Sequence, residues 1–242
     1  MNEIFLLNNL LAVSSNIRVE KSTNPETNML LLTVNDILKN FEKAHNIISN
    51  TPVADWKNAD GGRNFLDFKE GRLQYPVRNY NQLIDISSQI IEHYHNVNTE
   101  FQFGTIDVNV WQQIAPRENN FNIIHTDQRR TGRRSFTCLL FMNAPHECSG
   151  GTAFLQHLPS GKYSGDEVEL RTLLDSNLEL LHNGINYWNQ DDGKVWKMTH
   201  HAEMTSNQLI IFPSEYFHTA YHPKDSFYDF SRLTLVFWMA ES

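Results

Sequence analysis

The sequence predicts an α+β domain built on an antiparallel barrel or sandwich. Three observations carry that prediction: helical periodicity in the first hundred residues, short runs rich in β-branched and aromatic residues after residue 103, and one helical interruption among those runs. A chain of 242 residues with 40% hydrophobic content can bury a full core, at a length where barrels and sandwiches form one domain. One domain over 1–242 is therefore expected, with helical and looped support over 1–102 and a strand core over 103–242 that carries an insertion at 160–205.

Taken in order, residues 35–49 place Ile37, Leu38, Phe41, Ala44, Ile47 and Ile48 at helical spacing, with Asn35 or Asp36 available as N-cap. A second amphipathic helix fits 82–95, where Leu83, Ser87, Ile90, Ile91 and Tyr94 share a face. Gly61, Gly62, Gly71 and Pro76 punctuate the stretch between them, which reads as an ordered loop region. FGTIDVNVWQQI, RRSFTCLLFMN, QLIIFP and RLTLVFWM then have strand character. Residues 166–181 are helical, with Gly184 as a stop, and the following INYWNQDDGKVWKM predicts a hairpin turning at Asp192-Gly193.

Composition narrows the partners. The net charge of −8 is spread along the chain with no acidic block, so neither nucleic acid nor a membrane surface is expected as a partner. Asn8 and Asn9 interrupt the apolar start, which lacks the positive flank of a secretion signal. No stretch approaches the ~18 apolar residues of a membrane span. Cys138, on a strand, reads as a small buried hydrophobe and Cys148 as a loop thiol; two reduced cysteines suit a cytoplasmic protein. Oligomeric state is left open.

Chemistry concentrates at His125-Thr126-Asp127. With 11 His and 28 acidic residues, about 1.3 His-x-acid pairs arise by chance, and the chain holds two, so the motif gains meaning only from its surroundings. On an extended segment residues i and i+2 share a side, so His125 and Asp127 can converge on one point. A third ligand is expected from a distant strand, and His218, just past 208–212, supplies it. Two imidazoles and a carboxylate leave three positions of an octahedral ion open, which suits non-haem iron(II) and oxygen. On the last strand, Arg232, Thr234 and Val236 share one face. A guanidinium on a hydrophobic strand needs an anion, and a ligand carboxylate gripped by Arg232 with help from Thr234 fits.

The ordered set H-T-D at 125–127, G-G-T-A-F at 150–154, F-P-x-x-x-F-H at 212–218 and R-L-T-L-V-F at 232–237 resembles the Fe(II)/2-oxoglutarate-dependent oxygenase superfamily, in the style of its prolyl-4-hydroxylase-like branch. The resemblance spans about 120–238. It implies a distorted double-stranded β-helix, the jelly roll also seen in cupins, with N-terminal supporting helices and an inserted helix plus hairpin. It also implies iron held by His125, Asp127 and His218, and the distal carboxylate of 2-oxoglutarate held by Arg232 and Thr234. The implied activity is hydroxylation of an unactivated C–H of a small molecule, amino acid or peptide, using O2 and releasing succinate and CO2, with ascorbate helpful in vitro. Prolyl hydroxylases usually hold that carboxylate with lysine, where this chain has Arg-x-Thr. The first hundred residues match no substrate motif. Two further readings are a non-catalytic jelly-roll binding module or sensor and a cupin-type metal-dependent isomerase or hydrolase.

Other candidates have simpler roles. His201-x-Glu203 lies only 15 residues before His218, too close for the strands that should separate them, and reads as a loop or strand feature. His222 competes with His218, but His218 follows the strand and its Phe-Pro turn; Pro223 and Thr219 exclude a helical zinc-protease motif. His93-Tyr94-His95 is expected to face solvent. Trp111, Trp188, Trp196 and Trp238 are expected in the core, with Trp188 and Trp196 alternatively forming a lid. Arg129, Arg130, Arg133 and Arg134 read as a solvated basic loop that could also ring the site mouth.

Overall fold

A computed structural model describes residues 11–50, 57–58, 69–76, 82–99, 107–114, 122–128, 133–175, 187–188, 195–221, 223, 226–227, 229–230 and 232–242. Its strands, in chain order, are β1 (Arg18–Thr23), β2 (Leu30–Asn35), β3 (Lys57–Asn58), β4 (Lys69–Pro76), β5 (Asp107–Ile114), β6 (Asn122–Ile123) and β7 (Ser135–Phe141). They continue with β8 (Gly151–His157), β9 (Tyr187–Trp188), β10 (Trp196–Glu203), β11 (Gln208–Pro213), β12 (His218–Tyr221) and β13 (Arg232–Ala240). The described helices are α1 (Phe41–Ser49), α2 (Gln82–His95) and α3 (Glu167–Asp175). The architecture is α+β and mostly antiparallel: a large sheet in the order β1-β2-β11-β7-β13-β5-β4-β3 and a smaller one in the order β10-β8-β12.

Strand alternation sorts the large sheet into two buried faces. Phe136, Cys138 and Leu140 of β7, with Leu233, Leu235 and Phe237 of β13, face one way, against Ala44 and Ile48 of α1 and Leu83 and Ile91 of α2. Leu139 and Phe141 of β7, Ile210 and Phe212 of β11 and Val236 of β13 face the other way, against Phe154 and Ala202 of the small sheet. Because both faces are covered, β7 and β11 read as nearly continuous apolar runs. Ala153 and Leu155 point from the far side of the small sheet toward Leu170 of α3. The inner layer between the two sheets is where polar residues become informative.

The small sheet starts at a backbone crossing that glycine alone permits. A Cβ on Gly150 (φ +69°) would lie 2.0 Å from the Tyr221 carbonyl oxygen, and one on Gly151 (φ +147°) 2.0 Å from that of Ala202. These two glycines let β8 pass between β10 and β12 with their carbonyls in contact distance.

Several expectations change. The N-terminal segment is not only helix and loop: β1 and β2 pair with each other, β2 adds to β11, and β4 runs beside β5 for eight residues. LLLTVN buries alternate side chains on the two faces, a period-2 pattern hidden by its short length. The first helix begins at Phe41 rather than 35, because Asp36 adopts φ 53° and the next backbone groups are engaged elsewhere. The Asn207 carbonyl accepts from Ile37 N–H, and the Asn207 side-chain amide bonds both N–H and C=O of Leu38. At the described ends of the predicted hairpin, β9 pairs with β6 and β10 pairs along β8, while residues 189–194 between them lie outside the described residues. The 82–95 helix forms with those bounds; the predicted 166–181 helix is present over 167–175, and residues 176–181, Gly184 and Asp192-Gly193 lie outside the described residues. No described helix is long and apolar enough to cross a membrane.

Candidate metal centre

His125 and His218 meet because their backbones exchange two hydrogen bonds, each 2.9 Å, in an isolated antiparallel bridge. Their rings consequently lie 4.2 Å apart, centroid to centroid. Past His125 the chain is pinned to the residues before β12, since the Asp127 and Gln128 N–H groups both donate to the Ser214 carbonyl, at 3.0 and 3.1 Å. Thr126 points to the other side, its hydroxyl 2.8 and 3.0 Å from the carbonyls of Ser214 and Gly165. Asp127 lies on the side of the two imidazoles.

The ligand-type atoms of His125, Asp127 and His218 all lie within 4.8 Å of one another. Asp127 Oδ1 is 4.0 Å from His125 Nε2, and Asp127 Oδ2 is 3.4 Å from His218 Nε2. His218 is 3% exposed, walled by Phe212 and Phe154 at 4.9 and 6.3 Å between ring centroids, whereas 47% of the His125 side chain remains accessible. The site thus has a closed apolar wall and one open side.

Protonation states follow from the partners. Burial pushes the Asp127 carboxyl up, but the charge and hydrogen bond of His218, the charge of His125 and a hydrogen bond from the Trp238 indole outweigh it and hold it well below the usual carboxylate range. His218 Nδ1 lies 2.8 Å from the Tyr216 carbonyl, which only accepts, so Nδ1 carries a proton. Its Nε2 is left facing the Asp127 carboxylate, 3.4 Å from Oδ2. An imidazole anchored through its other nitrogen to a carbonyl is how proteins orient metal-ligating histidines. The donor set fits a divalent ion with open positions.

Arg232 and Thr234 enter the inner layer from β13, 3% and 2% exposed. Arg232 Nη2 donates to the Gly151 carbonyl at 3.3 Å, and its guanidinium lies 5.8 Å from the centre of the Phe141 ring. Gly151 pairs with Tyr221 and Phe154 with His218, so that guanidinium contact stands three residues along β8 from the candidate ligand.

The remaining sequence candidates separate from this cluster. His201 lies on β10 with its ring edge-on to Tyr221, and it is no member of the metal-type group among the described residues. His222, Arg129 and Arg130 lie outside the described residues, as do the side chains of Trp111 and Trp188. Arg133 and Arg134 are exposed, with the Arg134 guanidinium 5.2 Å from the Phe136 ring centre. His95 does not face solvent as expected: its ring packs on Phe136 at 4.6 Å, and burial, then the nearby Arg134 charge, depress its pKa to about 4. Cys138 is buried and Cys148 half-buried, both free; burial and then Glu147 raise the Cys148 thiol to about 11, so neither supplies a ready thiolate.

Residue patterns did not single out Thr137, Ser214 and Trp238. Thr137 hydrogen-bonds Asp127 Oδ2 at 2.8 Å, Ser214 sits behind it at 2.9 Å, and Trp238 pairs opposite Thr137 in the sheet. A signal existed: Thr137 is a hydroxyl inside an apolar strand, and Trp238 shares strand parity with Arg232 and Thr234.

Comparison with known families bears on the same segment. The model described as "Family of unknown function (DUF6445)" matches residues 110–232, just over half of the chain. The chain belongs to this family. The DUF6445 match contains His125, Asp127, His218 and Arg232 and ends two residues before Thr234. No curated protein gives a significant match. Among solved structures, the chain is similar to a Pseudomonas putida prolyl-4-hydroxylase at 15% identity and a TM-score of 0.48, over 88% of this chain and 92% of that one.

Proposed function

We propose that the protein is an Fe(II)- and 2-oxoglutarate-dependent oxygenase, one domain over 1–242 with a jelly-roll core of the distorted double-stranded β-helix kind. The observation that carries this reading is the convergence of His125, Asp127 and His218 in the inner layer that also receives Arg232 and Thr234. Three protein ligands leave half of an octahedral ion's positions open, whereas a structural zinc site closes with four. A ferrous ion held there supplies the oxidising chemistry that couples decarboxylation of 2-oxoglutarate to hydroxylation of a substrate carbon, with O2 as oxidant and succinate and CO2 as products.

The chain's own residues have defined tasks. Asp127 supplies the single anionic ligand and His218 a pre-oriented imidazole, while accessible His125 lies on the side from which a small molecule, amino acid or peptide enters. Phe154 and Phe212 keep water from the wall behind His218. Arg232 binds the distal carboxylate of 2-oxoglutarate, and Thr234 adds a hydroxyl. Spacing supports that role: three residues of β8 span ~10 Å at about 3.3 Å each. A five-carbon diacid, with carbon–carbon bonds of about 1.5 Å, would bridge a separation of that order.

The test is succinate formation from 2-oxoglutarate by the protein with Fe(II), O2 and ascorbate, alongside an anaerobic titration for the visible charge-transfer absorption of chelated 2-oxoglutarate. Both signals are expected. Metal binding indifferent to 2-oxoglutarate would point to a cupin-type isomerase or hydrolase, and absence of metal binding would leave a binding module.

A further inference from the structure

We propose that Thr137, itself held by Ser214, is a positioning residue that fixes the Asp127 carboxylate for metal binding. This rests on the metal-centre reading above and adds two residues to it.

Hydrogen-bond direction carries the argument. Thr137 Oγ1 is 2.8 Å from Asp127 Oδ2 and 2.9 Å from Ser214 Oγ. Thr137 and Ser214 are both buried, 1% and 0% exposed, which leaves little room for water to replace either bond. An ionised carboxylate only accepts, so the single Thr137 proton goes to Asp127 and Ser214 must donate to Thr137. The relay has one direction, from Ser214 through Thr137 to Asp127.

Its geometry matches the freedom that a carboxylate ligand must lose. The backbone N–H of Asp127 already donates to the Ser214 carbonyl, which sets where the side chain starts. Rotation about the last carbon–carbon bond of an Asp is otherwise broad and nearly two-fold. A hydrogen bond to Oδ2 removes that rotation and leaves Oδ1 directed toward His125. Ser214 therefore anchors Asp127 twice, once through its carbonyl and once through its hydroxyl. Sheet register makes the arrangement rigid: Thr137 pairs with Phe212 of β11 on one side and Trp238 of β13 on the other.

The experiment titrates the full chain with Co(II), anaerobically and without 2-oxoglutarate, reading affinity by calorimetry and coordination by the visible spectrum. Thr137→Val, which keeps the shape and removes the donor, is expected to weaken Co(II) binding about 10- to 100-fold and alter the spectrum. Thr137→Ser should restore wild-type affinity. Wild-type binding by Thr137→Val, or a loss in Thr137→Ser as large as in Thr137→Val, overturns the proposal. If Thr137→Val does not fold, Ser214→Ala takes its place: weaker binding with a changed spectrum supports the relay, and unchanged values refute it. Asp127→Ala separates the two levels: if it binds Co(II) as wild type does, the metal-centre reading itself fails.

Discussion

Arg232→Leu should weaken 2-oxoglutarate binding while sparing the metal ligands. The guanidinium is almost fully buried, and its Nη2 reaches the Gly151 carbonyl at 3.3 Å, longer than a strong charge-assisted bond. That contact positions the head. A carboxylate arriving beside it would gain a bidentate pair, with hydrogen bonds to charged groups contributing about 1.5–3 kcal/mol each. Allowing for non-additivity, losing the pair costs about 2–4 kcal/mol, or ~30- to 1,000-fold in affinity. The assay is an anaerobic 2-oxoglutarate titration of the Fe(II) protein, with Co(II) affinity measured separately as a control. Steady-state succinate formation should show the 2-oxoglutarate KM rising far more than kcat falls. Arg232→Lys should be intermediate, because a lysine keeps the charge and loses the planar fork. If Arg232→Leu binds 2-oxoglutarate within two-fold of wild type, roughly 0.4 kcal/mol, the carboxylate role is wrong.

Three further outcomes are expected. Gly151→Ala places a Cβ 2.0 Å from the Ala202 carbonyl oxygen at φ +147°, so the β8–β10 crossing must open. A cost of about 3 kcal/mol lowers the melting temperature by ~6–12 °C in a chain of this size, and an unchanged melting curve refutes the crossing. His95 has a folded pKa of about 4 against 6.5 in its ordinary state, so the unfolded chain binds the extra proton between those values. Its contribution to stability is therefore intact above pH 6.5 and falls away as the pH drops toward 4. Discounted for the ring's residual exposure, the loss is about 1–2 kcal/mol. His95→Gln should show a shallower decline in urea midpoint between pH 7 and 4.5 than wild type; parallel declines would count against it. Asn207→Ala removes the side chain that bonds both backbone groups of Leu38, in a left-handed turn at φ 56°. A loss of about 2–3 kcal/mol in the urea midpoint is expected, and a change under 0.5 kcal/mol contradicts it.

Of the fold, the sequence by itself determined the elements whose side chains report their surroundings locally. The 82–95 helix shows an apolar stripe, and β7, β11 and β13 show β-branched and aromatic runs, because each meets the core along its own length. Spacing and strand parity likewise brought out His125, Asp127, His218, Arg232 and Thr234 as one set. What depended on partners far along the chain stayed hidden. Polar, exposed β1 carries no apolar signal and exists only because β2 pairs with it. The helix that periodicity starts at residue 35 starts at 41, since Asn207 takes the backbone groups of 37 and 38. Only the tertiary structure decided that Thr137, Ser214 and Trp238 stand around Asp127. Hydrogen bonds between strands depend on register and facing, and a side chain's own neighbours in sequence carry neither.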